Sequence, residues 1–214
     1  MSDIHHLLAM HPHLTRATDL AATTGIPTGL LPLDHALGGG VPRGRLTEVH
    51  GTMTGGKLTV ARALLETTLL HEARVAWIDL PGMFLPPESL PEALLQHLLV
   101  LRPRDPQQAR NATGILARSG VWDLLIADFT GHRAQVPLAW LKQVTRVLRG
   151  HATACVLLHD GDHHPLGDTI SLRLQVRRTR TPEGRALVAT IAKNKLGHAS
   201  PAIHIPLGDK GEAP

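Results

Sequence analysis

Residues 51–59 have the composition and spacing of a phosphate-binding loop that lacks one functional group. They read Gly-Thr-Met-Thr-Gly-Gly-Lys-Leu-Thr, close to the pattern G-x-x-x-x-G-K-[ST]. In that pattern backbone N–H groups surround the phosphates, the lysine neutralises them, and the last hydroxyl binds Mg²⁺. Gly51, Gly56 and Lys57 match, whereas Leu58 stands at the hydroxyl position. Because Mg²⁺ takes oxygen ligands, a leucine cannot bind it.

The segments on either side of the loop are those that a phosphate loop requires. Residues 46–49 form a short β-type run before it, and residues 60–70 form an apolar helix rich in alanine and leucine after it. Strand, glycine loop and helix together are the context in which this motif binds phosphate. The sequence therefore predicts a nucleotide-hydrolysing fold that has lost its metal-binding hydroxyl.

The size and composition of the chain fit one α/β domain. It has 214 residues, of which 43% are hydrophobic, enough to bury a sizeable core. The formal charge of +4 permits contact with nucleic acid, but only 2% of residues are aromatic, so few side chains could stack on unpaired bases. No apolar stretch approaches the length of a membrane span, and the N-terminus lacks an export pattern. We therefore expect a cytoplasmic protein.

The histidines of the chain raise the question of a metal site. The candidates are His5, His6, His11 and His13, with a further pair at 163–164. None of them has ligand spacing, and the single cysteine, Cys155, lies in an apolar run. We predict solvated surface histidines, no metal, and a buried thiol that is not a nucleophile.

Apolar runs that alternate with helical patterns predict a mostly parallel sheet flanked by helices. The predicted strands are 46–49, 75–80, 98–101, 121–129 and 154–159, and the helices between them are 60–70, 106–118 and 137–149. Asp105, followed by a proline, is the predicted N-cap of the second helix. From Thr169 onward apolar and polar residues alternate, which is typical of an antiparallel strand with one exposed face. A turn at 181–184 leads to a partner strand at 186–191, and residues 201–206 form the last strand.

The same pattern divides the chain into an arm, a core and a tail. Residues 1–24 form the predicted N-terminal arm, with a short helical pattern at Ile4, Leu7 and Leu8. The core spans residues 25–207, and residues 208–214 have the composition of a polar tail.

Three segments, in the same order along the chain, resemble the RecA superfamily. Residues 28–46 are similar to the glycine-rich stretch before the phosphate loop of RecA, and residues 173–178 to the strand after its second DNA loop. Lys193-Asn194-Lys195 matches a Lys-Asn-Lys motif of the recombinase. The resemblance implies a RecA-like phosphate-loop α/β core with a mostly parallel central sheet, antiparallel C-terminal strands and an N-terminal helical arm.

Within that superfamily the chain resembles the ImuA proteins, which are accessory factors of mutagenic translesion synthesis related to the cell-division inhibitor SulA. The similar segments are 16–21 with 27–29, 75–79 and 98–103. The resemblance implies a protein of the DNA-damage response. Its implied partners are RecA and a translesion polymerase of the ImuB type, with DNA contacted only indirectly and no membrane.

The departures from the recombinase pattern predict that catalysis is lost. Recombinases carry a water-activating glutamate two residues after the aspartate of an Ile-Asp-Ala-Glu run. The run here is Ile78-Asp79-Leu80-Pro81, and proline cannot accept a proton. With the hydroxyl and the base both absent, we expect no ATP hydrolysis and no bound ATP or Mg²⁺. Asp128, at the end of an apolar strand, is either a second metal-orienting carboxylate or a polar strand end. The predicted degenerate nucleotide site comprises Gly51, Gly55, Gly56, Lys57, Leu58, Thr59 and Asp128.

Other features relate to neighbouring molecules. The segments that correspond to the recombinase DNA loops, 129–136 and 161–165, are short, so we do not expect single strands to thread between them. By the resemblance, Lys193 and Lys195 correspond to lysines that reach the ATP of the neighbouring subunit in a filament. A contact in trans is one interpretation, and ordinary solvated charge is the other. The apolar arm residues Ile4, Leu7 and Leu8 would pack on a neighbouring subunit.

Two other functions remain open from the sequence. Thr59 could supply the missing hydroxyl one residue late and give a slow ATPase, although one residue along a helix rotates a side chain by about 100°. The kinship with SulA suggests a division inhibitor that binds a tubulin-like protein.

Overall fold

The computed structural model describes residues 25–132, 136–161, 169–182, 184–197 and 200–208. The helices in these ranges are α1 (Leu31–Leu37), α2 (Lys57–Leu70), α3 (Glu92–Leu95), α4 (Pro106–Ser119) and α5 (Leu138–Leu148). The strands are β1 (Leu46–Gly51), β2 (Val75–Asp79), β3 (Leu98–Leu101), β4 (Leu124–Asp128), β5 (Ala154–Asp160), β6 (Leu172–Thr181), β7 (Gly184–Asn194) and β8 (Ser200–Pro206).

The strands form one eight-stranded sheet in the order β3-β2-β4-β5-β1-β6-β7-β8. Every pairing from β3 through to β6 is parallel, and β7 and β8 are added antiparallel. The predicted fold class, a mostly parallel α/β sheet with antiparallel C-terminal strands, is confirmed. β1 lies in the middle of the sheet, so the loop that follows it opens at the centre of the carboxyl edge of the parallel strands.

Both faces of the sheet are covered at its central parallel strands. One face packs against α1 and α2, for example at Leu33 and Leu64, and the other packs against α4 and α5, for example at Ala109 and Leu141. The central strands are therefore buried on both sides, which is why they appear in the sequence as continuous apolar runs. Cys155, on β5, is 1% exposed, and burial raises the pKa of its thiol to about 12. The predicted buried cysteine is confirmed.

The structure also contains elements that the sequence pattern did not indicate. Helix α1 falls in the glycine-rich stretch of residues 28–46. It has Pro32 in its first turn, and Gly38 ends it in the left-handed conformation, with φ 70°. Proline inside the start and glycine past the end are ordinary helix boundary signals. Strand β6, predicted as antiparallel, also pairs in parallel with β1. The predicted N-cap is confirmed, because Asp105 accepts the Gln108 N–H at 2.8 Å.

Candidate functional site

The backbone of the predicted phosphate loop is retained between β1 and α2. β1 is buried along its whole length and ends at Gly51, and α2 begins at Lys57. Within the loop, Gly55 donates its N–H to the carbonyl of Thr52 at 2.9 Å, which closes a tight turn. The motif is therefore placed on the strand, loop and helix that the sequence predicted.

The loop packs directly beneath the β6–β7 hairpin. Gly56 has φ 101°, and a Cβ there would overlap Leu187 of β7 and crowd Arg178 of β6. Only glycine fits this conformation and this space. Gly56 is also the N-cap of α2 and provides no side-chain cap. The first N–H groups of the helix therefore point into the loop, as in a phosphate cradle.

The lysine of the motif is already fully engaged within the chain. Lys57 is 1% exposed. Its Nζ lies 2.8 Å from the carbonyl oxygen of Thr52, 3.4 Å from that of Gly51 and 2.7 Å from the Asp160 carboxylate. An ammonium group has three N–H donors, and these three acceptors use all of them. No donor of Lys57 is left for a phosphate unless one of these contacts breaks.

The carboxylate that binds Lys57 is positioned by the sheet itself. Asp160 ends β5 and pairs with Gly51 in the parallel register of β5 and β1, so it stands beside the first residue of the loop. Its second oxygen accepts the N–H of Gly131 at 2.6 Å. Partial burial alone would raise the pKa of Asp160, but the hydrogen bonds from Lys57 and Gly131 hold this pKa below its usual value. Asp160 is therefore a charged partner at neutral pH, and the sequence patterns did not single it out.

The two residues that follow the lysine both have partners within the chain. Leu58 packs against the apolar core. Thr59 is 9% exposed, and its hydroxyl accepts a hydrogen bond from Arg178 Nη2 at 2.9 Å. The Thr59 hydroxyl, the alternative candidate for a Mg²⁺ ligand, is thus already bound to a guanidinium group. The positive charge of that group would repel Mg²⁺.

Asp79 holds the loop that contains Pro81. Its carboxylate accepts the N–H groups of Met83 at 3.1 Å and Phe84 at 3.0 Å, and Arg102 Nε lies 3.3 Å away. These contacts fix the chain just after β2, where recombinases carry the aspartate and the base. In this protein Asp79 stabilises the turn.

Asp128 lies at the end of β4, directly opposite Asp79 in the parallel register. It is 4% exposed and accepts the N–H of Thr130 at 2.9 Å. Burial raises the pKa of Asp128, and the nearby Asp79 charge acts in the same direction. The geometry is that of a buried strand end, and a role in orienting a metal stays a prediction.

A buried ionic network that the sequence analysis did not predict links strands β1, β5 and β6 just before the loop. Glu48 of β1 and His159 of β5 are both fully buried, with Glu48 Oε1 2.6 Å from His159 Nε2. The other Glu48 oxygen accepts Arg173 Nε of β6. His159 Nδ1 lies 2.8 Å from the carbonyl oxygen of Asp160, so both ring nitrogens of His159 face acceptor oxygens. Burial alone would raise the pKa of Glu48, but its two partners lower it.

His50 of β1 lies beside this network and connects it to Gly161, the residue after β5. Its ring stacks on His159 with centroids 5.8 Å apart, and Nδ1 lies 2.9 Å from the carbonyl oxygen of Gly161. Burial lowers the pKa of His50 and outweighs the effect of that hydrogen bond. His50 and His159 directly precede Gly51 and Asp160, so the network fixes the two strand ends that form the loop site.

The two lysines of the Lys-Asn-Lys motif lie on the far side of β6 from β1. Lys193 pairs with Arg173, which pairs with Glu48, and the Lys195 N–H bonds to the carbonyl of Ser171. Lys193 is thus level with Glu48, which is three positions before Gly51. Along the strand this places Lys193 about 10 Å from the loop, toward the start of β1. Lys195 lies further down. Neither lysine is level with the loop of its own chain.

Several predicted features lie outside the described residues. These are the arm residues Ile4, Leu7 and Leu8, the histidines at 5, 6, 11, 13 and 163–164, and most of the second DNA-loop segment. In the described ranges, no three His, Cys, Asp or Glu side chains are grouped so that they could hold a metal ion. The helices in the same ranges are all too short or too polar to cross a bilayer.

A glycine loop between the central strand of a parallel sheet and a helix, with a buried lysine at its end, defines a phosphate-loop α/β domain. Residues 13–142 match the RecA N-terminal domain. The chain belongs to the RecA family, which confirms the predicted superfamily.

Individual relatives are RecA proteins at about 30% identity. The chain is 29% identical to protein RecA of Thermus aquaticus, over 80% of this chain and 63% of that protein. It is 31% identical to protein RecA of Ruminococcus albus, over 80% of this chain and 46% of that protein. It therefore spans less than two thirds of the length of either relative.

Proposed function

We propose that this chain is a non-catalytic accessory protein of mutagenic translesion synthesis in the DNA-damage response. It binds RecA and a translesion polymerase of the ImuB type, and it reaches DNA through RecA. The observation that carries the proposal is the state of the phosphate loop. Lys57 is saturated by acceptors of its own chain, and Leu58 stands where a hydroxyl would bind Mg²⁺.

The slow-ATPase alternative gains no support from Thr59. Its hydroxyl is engaged by Arg178, and a metal ion there would face a guanidinium group at short range. The general-base position is Pro81, which cannot activate water. These residues support a protein that has the RecA fold but does not hydrolyse ATP.

The retained Lys-Asn-Lys motif supports a contact with a neighbouring RecA subunit. Lys193 and Lys195 are offset from the loop of their own chain, and Lys193 pairs with Arg173, a member of the Glu48 network. In this proposal they contact the phosphates of an ATP that RecA holds. The chain then occupies one end of a filament and, because it lacks a working ATP site, does not support further growth.

The double substitution Lys193→Ala with Lys195→Ala tests this contact. A lysine–phosphate contact shielded from water contributes a few kcal/mol, so affinity for RecA filaments should fall at least about tenfold. Binding and filament length would be measured on RecA filaments formed with a non-hydrolysable ATP analogue.

The matched control is Lys142→Ala with Arg146→Ala, which removes two positive charges from the exposed face of α5. It should leave both measurements near those of the unaltered chain. Equal behaviour of the two double variants would exclude the contact in trans.

The N-terminal arm gives a separate prediction. Deletion of residues 1–20 should leave a core that unfolds cooperatively but binds RecA more weakly, because Ile4, Leu7 and Leu8 would no longer pack on the neighbour. Thermal unfolding and the RecA binding assay measure the two effects. Loss of cooperative unfolding would instead show that the arm is part of the core.

Capture from DNA-damaged cells separates this function from that of a division inhibitor. We expect the tagged chain to retain RecA and a translesion polymerase. Retention of a tubulin-like division protein without RecA would favour the SulA-like function.

A further inference from the structure

Lys57 is a buried cation whose counter-ion comes from the chain itself. Its side chain is 1% exposed, whereas that of Asp160 is 24% exposed and faces it at 2.7 Å. Burying an ammonium group without an anion is strongly unfavourable. In a phosphate loop that anion is normally a phosphate of the ligand.

The Asp160 carboxylate binds the loop lysine as a phosphate would, and a backbone N–H from outside the loop holds it in place. One oxygen binds the lysine ammonium, and the other accepts a backbone N–H, that of Gly131, at 2.6 Å. The carboxylate is held on both sides and comes from a strand different from the one that precedes the loop. We propose that Asp160 is a resident anion that fills the phosphate loop in cis, so that any phosphate-bearing ligand must displace it.

Sheet register explains why this carboxylate competes effectively with a free ligand. Asp160 is paired with Gly51 across β5 and β1, so it is delivered to the loop by folding. A ligand from solution loses translational and rotational freedom on binding, and a group already held in place does not. A polyphosphate in the same loop would also be repelled by the Asp160 charge.

The loop and the start of α2 retain the features that bind an anion. Gly56 keeps its left-handed conformation, and the N-terminus of α2 is not capped by a side chain. Lys57 remains at the first position of that helix. Removal of the carboxylate should therefore produce a site for phosphate anions, and inorganic pyrophosphate is the simplest probe. The inference does not depend on RecA binding.

The test compares the full-length unaltered chain with Asp160→Ala by thermal unfolding, with and without sodium pyrophosphate. The melting temperature of the unaltered chain should not respond. Asp160→Ala should melt lower by about 5 °C or more, because Lys57 loses its partner. Pyrophosphate should restore several degrees, and by calorimetry it should bind Asp160→Ala at least about tenfold more tightly than the unaltered chain.

Three further variants control this result. Adding Lys57→Ala to Asp160→Ala should abolish the pyrophosphate response. Asp160→Asn keeps an acceptor for the Gly131 N–H but removes the charge, so it should disturb the fold less than Asp160→Ala does. Its stabilisation by pyrophosphate should lie between that of the unaltered chain and that of Asp160→Ala. Asp105→Ala loses the N-cap of α4, so it should melt lower yet ignore pyrophosphate.

Two outcomes would overturn the inference. One is a folded Asp160→Asn or Asp160→Ala variant that binds pyrophosphate no better than the unaltered chain. The other is an unaltered chain that binds pyrophosphate as tightly as the variants. Sodium chloride at equal ionic strength identifies any stabilisation that comes from salt alone.

Discussion

The purified chain is expected to show no Mg²⁺-dependent ATP hydrolysis under conditions in which RecA, assayed in parallel, turns over. Leu58 removes the metal-binding hydroxyl, Pro81 removes the base, and Lys57 is bound to Asp160. Loss of a general base and of charge stabilisation together reduces the rate at least about 10⁴-fold. Phosphate release should therefore stay at the level of a blank without protein.

Restoring one of these groups should not restore turnover. Leu58→Thr is expected to remain inactive, since Pro81 still occupies the base position and Asp160 still engages the lysine. Lys57→Ala is the specificity control, because any real activity at this loop must depend on that lysine. Turnover by the unaltered chain that requires Mg²⁺ and disappears in Lys57→Ala would refute the prediction of a non-catalytic site.

Glu48→Ala is expected to be the most destabilising substitution of a polar residue near the site. It leaves Arg173 and His159 partly or wholly buried without their carboxylate. Breaking a buried ionic group by removing one partner costs about 3–5 kcal/mol, from a total stability on the order of 5–15 kcal/mol. For a chain of this size the melting temperature should fall by roughly 6–20 °C.

Arg43→Ala provides the matched control for this effect. It breaks the ion pair between Arg43 and Asp123, in which the two side chains are 32% and 37% exposed. A solvent-exposed ion pair contributes about 0–1 kcal/mol to the free energy of unfolding. Thermal unfolding of the two variants should differ clearly. Similar shifts would show that the Glu48 network is not held as the structure describes.

The same network predicts how stability depends on pH. In the folded protein the pKa of Glu48 lies below the 4.5 of an ordinary glutamate. The stability that Glu48 contributes is therefore fully present above that pH and is lost as the pH falls through the lowered pKa. His50 acts in the same direction at higher pH, because its lowered pKa means that protonation below 6.5 favours unfolding. The Glu48→Ala variant should therefore lose less stability than the unaltered chain as the pH falls below 4.5.

Local patterns predicted the fold and the loop because both depend on neighbouring residues. The glycines and lysine of 51–57 specify a loop through backbone geometry, and runs such as Leu124–Asp128 specify buried strands. The helix Leu31–Leu37 carried its own signals in Pro32 and Gly38. Those signals were present in the sequence, but the glycine-rich context concealed them.

The partners at the site could not be predicted in the same way, because they depend on strand register. Glu48 is 111 positions from His159 and 125 from Arg173, and Asp160 is 103 from Lys57. Only the order β5-β1-β6 brings these residues together. The charged residue at position 48, in the short strand that precedes the loop, was the one local sign that a buried partner existed.

The burial of Cys155 gives this chain an internal reporter of sheet opening. A thiol reagent attacks the thiolate, and a cysteine that is 1% exposed with a pKa raised to about 12 reacts only when the core around it opens. Cys155 and Asp160 share strand β5, so an opening that displaces this strand also disturbs the contact with Lys57. Because Cys155 is the single cysteine, its labelling rate reads out one event at one position. A partner that clamps the sheet should slow that labelling in proportion to its occupancy, without any engineered probe.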